Sequence, residues 1–139
     1  MGDLTFTDRL EERHVHELHA LYQNEWWTRG RTLDETRRVV EHSDLVFAFL
    51  DETDGHLVAF ARVITDRVFK ALVFDVIVAP ERRGDGLGPR LLDRILTHPV
   101  LTDVKHLELY CLPELVPFYE QLGFSTELGG VRLMRRRPR

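Results

Sequence analysis

No stretch of this chain constrains its fold as tightly as Val78 to Arg90, which reads Val-Ala-Pro-Glu-Arg-Arg-Gly-Asp-Gly-Leu-Gly-Pro-Arg. An apolar strand ends near Pro80, a turn carrying Gly84, Gly86 and Gly88 follows, and leucines at helical spacing resume at once. That order builds an anion site. Glycines accept positive φ, so successive backbone N–H groups converge, and the positive end of the next helix lies behind them. A diphosphate is the guest such a turn suits. The plain alternative is a strand-to-helix turn that binds nothing and uses its glycines for shape alone.

Two other phosphate-binding patterns fail on spacing. A Walker-type loop ends in Gly-Lys-Ser/Thr, whereas Pro89 and Arg90 follow Gly88. A dinucleotide fingerprint beginning at Gly86 and Gly88 needs a third glycine where Leu91 stands. Neither ATP nor NAD is favoured.

The chain has 139 residues, 43% of them hydrophobic, enough for one domain with a real core and too few for two. With 19 basic against 23 acidic side chains, net -4, it has no global attraction for nucleic acid or an anionic membrane, and small molecules are the expected partners. Cys111 is the only cysteine, which excludes an internal disulfide and a thiolate metal cluster and suits a reducing cytosol. The first residues lack a basic segment leading into an apolar run, and no apolar stretch approaches membrane-spanning length. A soluble, cytoplasmic protein without a metal is expected.

Along the chain, Leu4 to Thr7 reads as a short strand, and Val15, Leu18, Leu21 and Tyr22 recur at helical spacing. Thr32 and Glu35 form a capping box that opens a second helix, Leu33 to His42. Leu45 to Leu50 and Leu57 to Ile64 read as a hairpin around Asp54-Gly55, and a turn at Asp66-Arg67 leads to a further strand, Ala71 to Val78. Leu87, Leu91, Leu92, Ile95 and Leu96 face one side of the next helix, which Pro99 closes. His106 to Cys111 alternates as a strand, and Glu114 to Leu122 reads as a short helix stopped by Gly123, with Pro117 preventing a start much before Pro113. Ser125 to Glu127 and Val131 to Arg135 close the order as a hairpin around Gly129-Gly130.

Two segments then converge on one family. Arg83, Gly86 and Gly88 spell R-x-x-G-x-G, and Phe118-Tyr119-Glu120-Gln121-Leu122-Gly123-Phe124 is like the segment F-Y-E-K-L-G-F. On these motifs, and on the order of elements over essentially the whole chain, the sequence resembles the GNAT superfamily of acyl-CoA-dependent N-acyltransferases. The resemblance implies one domain, residues 1–139, of the α/β (α+β) class: a mixed, mostly antiparallel sheet of six to seven strands flanked by about four helices, splayed between strands four and five. Acetyl-CoA is the implied cosubstrate. Its diphosphate would rest on the amides of Arg83, Gly84, Asp85, Gly86, Leu87 and Gly88, and its pantetheine arm along the backbone of Val76, Ile77 and Val78. Pro89 has no N–H to offer but is tolerated in a first helical turn. Many relatives carry an asparagine after the fifth strand, where this chain has Leu112-Pro113, so the grip there must differ.

The implied activity is acetyl transfer to the primary amine of a small acceptor by direct attack in a ternary complex. A non-catalytic acyl-CoA or peptide-binding module with the same fold is the alternative. Amide formation from a thioester needs an unprotonated amine, a stabilised oxyanion and a proton for the departing thiolate. Tyr119 stands where the family commonly keeps a tyrosine that protonates the sulfur, and a phenol of pKa ~10 holds its proton at neutral pH. Otherwise it is a packed aromatic beside Leu115 and Phe118. Asp75 is a lone carboxylate in an apolar strand, opposite in alternation to Val76 and Val78. It reads as the base or a holder of the substrate ammonium, or else as a structural carboxylate paired with Arg62 or Lys70.

Trp26 and Trp27 lie in the connection that roofs the acceptor pocket in this family, so one can wall the substrate while the other joins the core. Glu25 and Arg29 flank them and are placed to read substrate charge, or simply belong to a solvated loop. Tyr110 and Glu108 rank lower as site residues. His14, His16 and His19 do not align on one helical face and count as surface. Cys111 reads as core rather than as an acyl-carrying nucleophile. Arg135, Arg136, Arg137 and Arg139 form a basic tail that reads as a solvated terminus. A monomer or homodimer is expected.

Overall fold

Strand alternation sorts the apolar side chains onto two faces of one sheet, and helices cover both. In a computed structural model, which describes residues 3–138, five strands are ordered β1-β2-β3-β4-β5. They are β1 (Leu4–Thr7), β2 (Leu45–Asp51), β3 (Leu57–Thr65), β4 (Lys70–Val78) and β5 (His106–Glu108). The first four meander antiparallel, and β5 returns parallel to β4. Between β4 and β5 runs the helix α3 (Leu87–Leu96), the long connection that parallel neighbours require.

On one face, α1 (Glu12–Tyr22) lays Leu18, Leu21 and Tyr22 against Val46 and Ala48 of β2, Leu57 and Phe60 of β3, and Ile77 of β4. Phe47 and Phe49 alternate with those β2 residues and serve the other face. There the Phe47 ring lies 5.5 Å from His98, just beyond α3, and Arg90 of α3 sits 5.1 Å above Phe49. Helix α3 buries Leu87, Leu91, Leu92 and Ile95 of the stripe its spacing predicts, each worth about 1.5–3 kcal/mol in burial, and leaves the fifth member, Leu96, half-buried. Helix α2 (Leu33–His42) starts at the expected box: Glu35 N–H donates to Thr32 Oγ1 at 3.0 Å, and Thr32 N–H to Glu35 Oε1 at 2.9 Å. The β3–β4 turn is set by Asp66, whose Oδ1 accepts the N–H groups of Val68, Phe69 and Lys70.

These elements make up the first of two units, Met1–Leu109; the second is Tyr110–Arg139. In the second, a 3-10 turn at Pro113–Leu115 leads into α4 (Val116–Glu120). Pro117 falls in its first turn, where its missing N–H costs nothing, and Gly123 stops it at φ 94°.

Three expectations are corrected. The closing hairpin does not form: residues 125–138 carry no strand, so the described sheet has five strands rather than six or seven. Val131, Leu133 and Met134 stand exposed, and a lone hairpin whose first strand is only three residues long offers too few ladder bonds to hold itself. Strand β5 ends at Glu108 instead of Cys111. His14 is buried, not surface: its Nδ1 accepts the Glu11 N–H at 3.1 Å and its Nε2 lies 3.0 Å from the Gly55 carbonyl oxygen. Arg139, the last member of the basic tail, lies outside the described residues; Arg135, Arg136 and Arg137 are exposed.

Candidate active site

The β4–β5 ladder is short. Lys70, Ala71 and Leu72 pair with His106, Leu107 and Glu108, and there it stops. Beyond Leu72 the ladder between β4 and β5 does not continue, although β4 runs on to Val78, which is the splay expected between the fourth and fifth strands. Ala79 N–H donates to Val58 on β3 at 2.8 Å, so alternation turns Ile77 toward β3 and turns the backbone groups of Val76 and Val78 to the open edge. Of the three residues expected to meet an extended arm, these two face the gap.

The glycine turn follows directly. Gly84 and Gly86 adopt φ 90° and 77°, and a Cβ built on either meets nothing within 4 Å. The turn is therefore open on its outer side. Arg83 and Asp85 direct their N–H groups back to the carbonyls of Pro80 and Arg82 at 3.4 and 3.3 Å. The N–H groups of Gly84, Gly86, Leu87 and Gly88 find no acceptor among the described residues. Those four amides, at the positive end of α3, form the anion cradle, narrower than the six amides the spacing suggested. A cavity of about 350 Å³ lies there, lined by Val78, Arg82, Arg83, Gly84, Gly86, Leu87, Gly88 and Pro89. Arg82 braces the turn by ion pairs to Asp51 and Asp85, both at 3.0 Å. The donor set fits a diphosphate: free amides, a helix N-terminus and guanidinium groups at the rim.

Beside this edge, β4 carries a bulge. Phe60 pairs with Ile77 and Arg62 with Phe74, so Asp75 and Val76 together oppose Ala61. Asp75 takes φ 55°, a conformation Asp tolerates better than most residues. Its buried carboxylate accepts from Arg31 Nη1 at 2.7 Å and Nη2 at 3.3 Å, from Arg62 Nε at 2.8 Å, and from the Tyr22 hydroxyl at 2.9 Å. Burial works to raise its pKa, but the two guanidiniums outweigh it and hold the carboxyl below the usual range. Burial and the adjacent Asp75 charge push the Tyr22 hydroxyl far up, so it stays a donor. Lys70, the other partner considered for Asp75, pairs with Glu108 at 2.8 Å. The geometry is that of a structural carboxylate. A proton acceptor with lowered basicity and every face engaged is poorly suited to act as a base.

The connection between α1 and α2 hangs over the same region. Trp26 and Trp27 are 66% and 40% exposed, so neither joins the core, and the expected division between wall and core does not hold. Glu25 forms an ion pair with Arg83 of the turn. In the second unit, Tyr119 is buried between Phe118 and Phe124, with ring centroids 5.0 and 5.8 Å away. Burial, and to a lesser degree Cys111, raises its pKa, so its phenol is protonated at neutral pH. The Cys111 thiol is raised by burial and by Glu114, which leaves it a weak nucleophile.

The model of the acetyltransferase (GNAT) family matches residues 7–124. The chain belongs to that family. A GNAT-family protein from Xanthomonas campestris superimposes with a TM-score of 0.83 at 31% identity, over 99% of this chain and 95% of that one. The uncharacterized N-acetyltransferase ycf52 of Porphyra purpurea is 28% identical over 127 residues, 90% of this chain and 72% of that protein. Serotonin N-acetyltransferase 2, chloroplastic, of Oryza sativa subsp. japonica is 37% identical over 106 residues, 75% of this chain. The present chain spans only 53% of that last relative's length.

In this GNAT chain the first unit brings together the cradle, the open β4 edge, the Asp75 cluster and the tryptophan-bearing connection. Tyr119 belongs to the second unit. The sequence reading missed Arg31 and Tyr22. A signal for them existed, since a carboxylate in an apolar strand demands donors. The bulge and a loop arginine 44 positions away do not show in spacing.

Proposed function

We propose that this GNAT acetyltransferase moves an acetyl group from acetyl-CoA to the primary amine of a small acceptor by direct attack in a ternary complex, with residues 1–139 working as one catalytic domain. What carries the reading is the juxtaposition of four unpartnered amides, Gly84, Gly86, Leu87 and Gly88, with the stretch of β4 at Val76 and Val78 that lies beyond its ladder to β5. The family uses acetyl-CoA, and the cradle fits its diphosphate. When bound, acetyl-CoA supplies an activated acetyl thioester.

The chain's own residues then have distinct tasks. Gly84, Gly86, Leu87 and Gly88 hold the diphosphate, and the backbone groups of Val76 and Val78 take the extended arm as an added strand would be taken. Tyr119 keeps its proton at Oη for the departing sulfur, a role its raised pKa supports. Asp75 orders Arg31 and Arg62 around the bulge. Trp26 and Trp27 offer an exposed aromatic surface to the acceptor. That surface, with the name of the Oryza sativa relative, makes an arylalkylamine such as serotonin the first acceptor to try.

The test is calorimetry with coenzyme A, followed by thiol release from acetyl-CoA across a panel of amines. Binding with amine-dependent thiol release is the expected result. Binding without release from any amine would leave a non-catalytic acyl-CoA-binding module, and no binding would remove the reading altogether.

A further inference from the structure

We propose that Glu25 is a built-in competitor for the diphosphate at Arg83, and that its displacement frees the tryptophan-bearing connection. The inference rests on the acetyl-CoA reading above and adds a role for a residue which that reading does not use. Arg83 lines the glycine-turn cavity, yet its guanidinium is engaged elsewhere: one Nη is paired with the Glu25 carboxylate, and Nε reaches the Val78 carbonyl at 3.4 Å. A carboxylate of the chain thus occupies a cationic group on the rim of the anion site.

Glu25 is also the residue before Trp26 and Trp27. The connection that carries them is tied into one body. Gln23 Nε2 donates to the carbonyls of His19 and Arg31 at 3.0 and 2.9 Å, Gln23 Oε1 accepts the Gly30 N–H at 3.1 Å, and the Thr28 hydroxyl donates to the Tyr22 carbonyl at 2.7 Å. Two ionic anchors join this body to β4 and the turn, and they are unequal. Arg31 clasps Asp75, whose side chain is 4% exposed, whereas Arg83 is 53% and Glu25 21% exposed. A half-exposed pair contributes little, because water and salt screen it, while breaking a buried one strands an uncompensated charge and costs several times as much. The Arg31 anchor is therefore permanent and the Glu25 anchor exchangeable. Diphosphate oxygens, more highly charged and backed by four amides, take Arg83 from Glu25. The connection then pivots on Arg31, and the tryptophans become mobile only when the cofactor is in place.

Trp26 and Trp27 are the only two tryptophans of the chain, so its indole emission reports on this segment alone. Acrylamide quenching is measured on the free protein for the wild type, Glu25→Gln, Arg83→Gln and the double variant. Both single variants should be quenched more than wild type and the double variant no further, as expected for two residues acting through one contact. Coenzyme A should raise quenching in the wild type and leave Glu25→Gln unchanged, and by calorimetry Glu25→Gln should bind coenzyme A about three- to fivefold more tightly. If the wild type binds coenzyme A while Glu25→Gln matches it in affinity and in quenching, the competition is refuted and the proposed function stands. If the wild type binds no coenzyme A, the proposed function falls and takes the competition with it, whatever the quenching shows.

Discussion

Arg31 closes a two-point clasp on Asp75, Nη1 to Oδ2 at 2.7 Å and Nη2 to Oδ1 at 3.3 Å, and so ties the segment before α2 to the bulge of β4. Arg62 and Tyr22 complete the set of donors. Because the folded pKa of Asp75 lies below its ordinary value, its contribution to stability is complete above the unfolded pKa of about 3.9 and is lost as pH falls through the folded value. Asp75→Asn keeps a residue tolerant of φ 55° but strands two guanidiniums without a countercharge. We expect it to lower the unfolding free energy by about 3–5 kcal/mol near neutral pH. The gap to wild type should narrow below about pH 4. Urea unfolding of both proteins across that range checks it, and a gap independent of pH would show that charge is not the cause.

Gly86 precedes α3 at φ 77° with open space where a Cβ would sit. Gly86→Ala therefore costs only the left-handed backbone strain, about 1–2 kcal/mol, without a clash. Relief of that strain would rotate the peptide units on either side and misalign the cradle. Coenzyme A affinity should fall about tenfold while the melting temperature drops only by several degrees. Unchanged affinity in calorimetry would mean that these amides do not hold the anion.

The cradle was legible because its chemistry is local: glycines, a proline and a helix start within one short stretch fix both backbone and dipole. The Asp75 cluster was only half legible. Alternation located the carboxylate, but its partners come from α1, the α1–α2 connection and β3, and a bulge decides which way it faces. His14 misled for a related reason, since its burial depends on Gly55 in a hairpin turn 41 residues away. The missing C-terminal hairpin is the opposite failure. Val131 and Leu133 alternate as a strand should, yet pairing needs a neighbour, and alternation does not supply one.

Trp26 and Trp27 keep large exposed indoles at a loop otherwise held in place. An aromatic contact contributes about 0.5–1.5 kcal/mol beyond the area it buries. Replacing either by alanine should raise KM for an aromatic amine by about two- to tenfold, with KM for acetyl-CoA unchanged and a smaller effect on aliphatic amines. Equal losses for aromatic and aliphatic acceptors would assign the pair to loop structure instead of substrate contact.

Tyr119→Phe separates proton donation from packing. The ring lies edge-on to Phe118 and Phe124, and phenylalanine preserves both contacts, so stability should change by less than about 1 kcal/mol. Loss of the hydroxyl removes the proton donor, and kcat should fall about a hundredfold while coenzyme A affinity stays within about twofold. The raised pKa gives a second check. Burial favours the neutral phenol, so donation by Tyr119 weakens only above about pH 10, and wild-type kcat should hold through the mildly alkaline range. A kcat that survives the substitution would place Tyr119 among the packed aromatics of α4 and leave the sulfur's proton to another group.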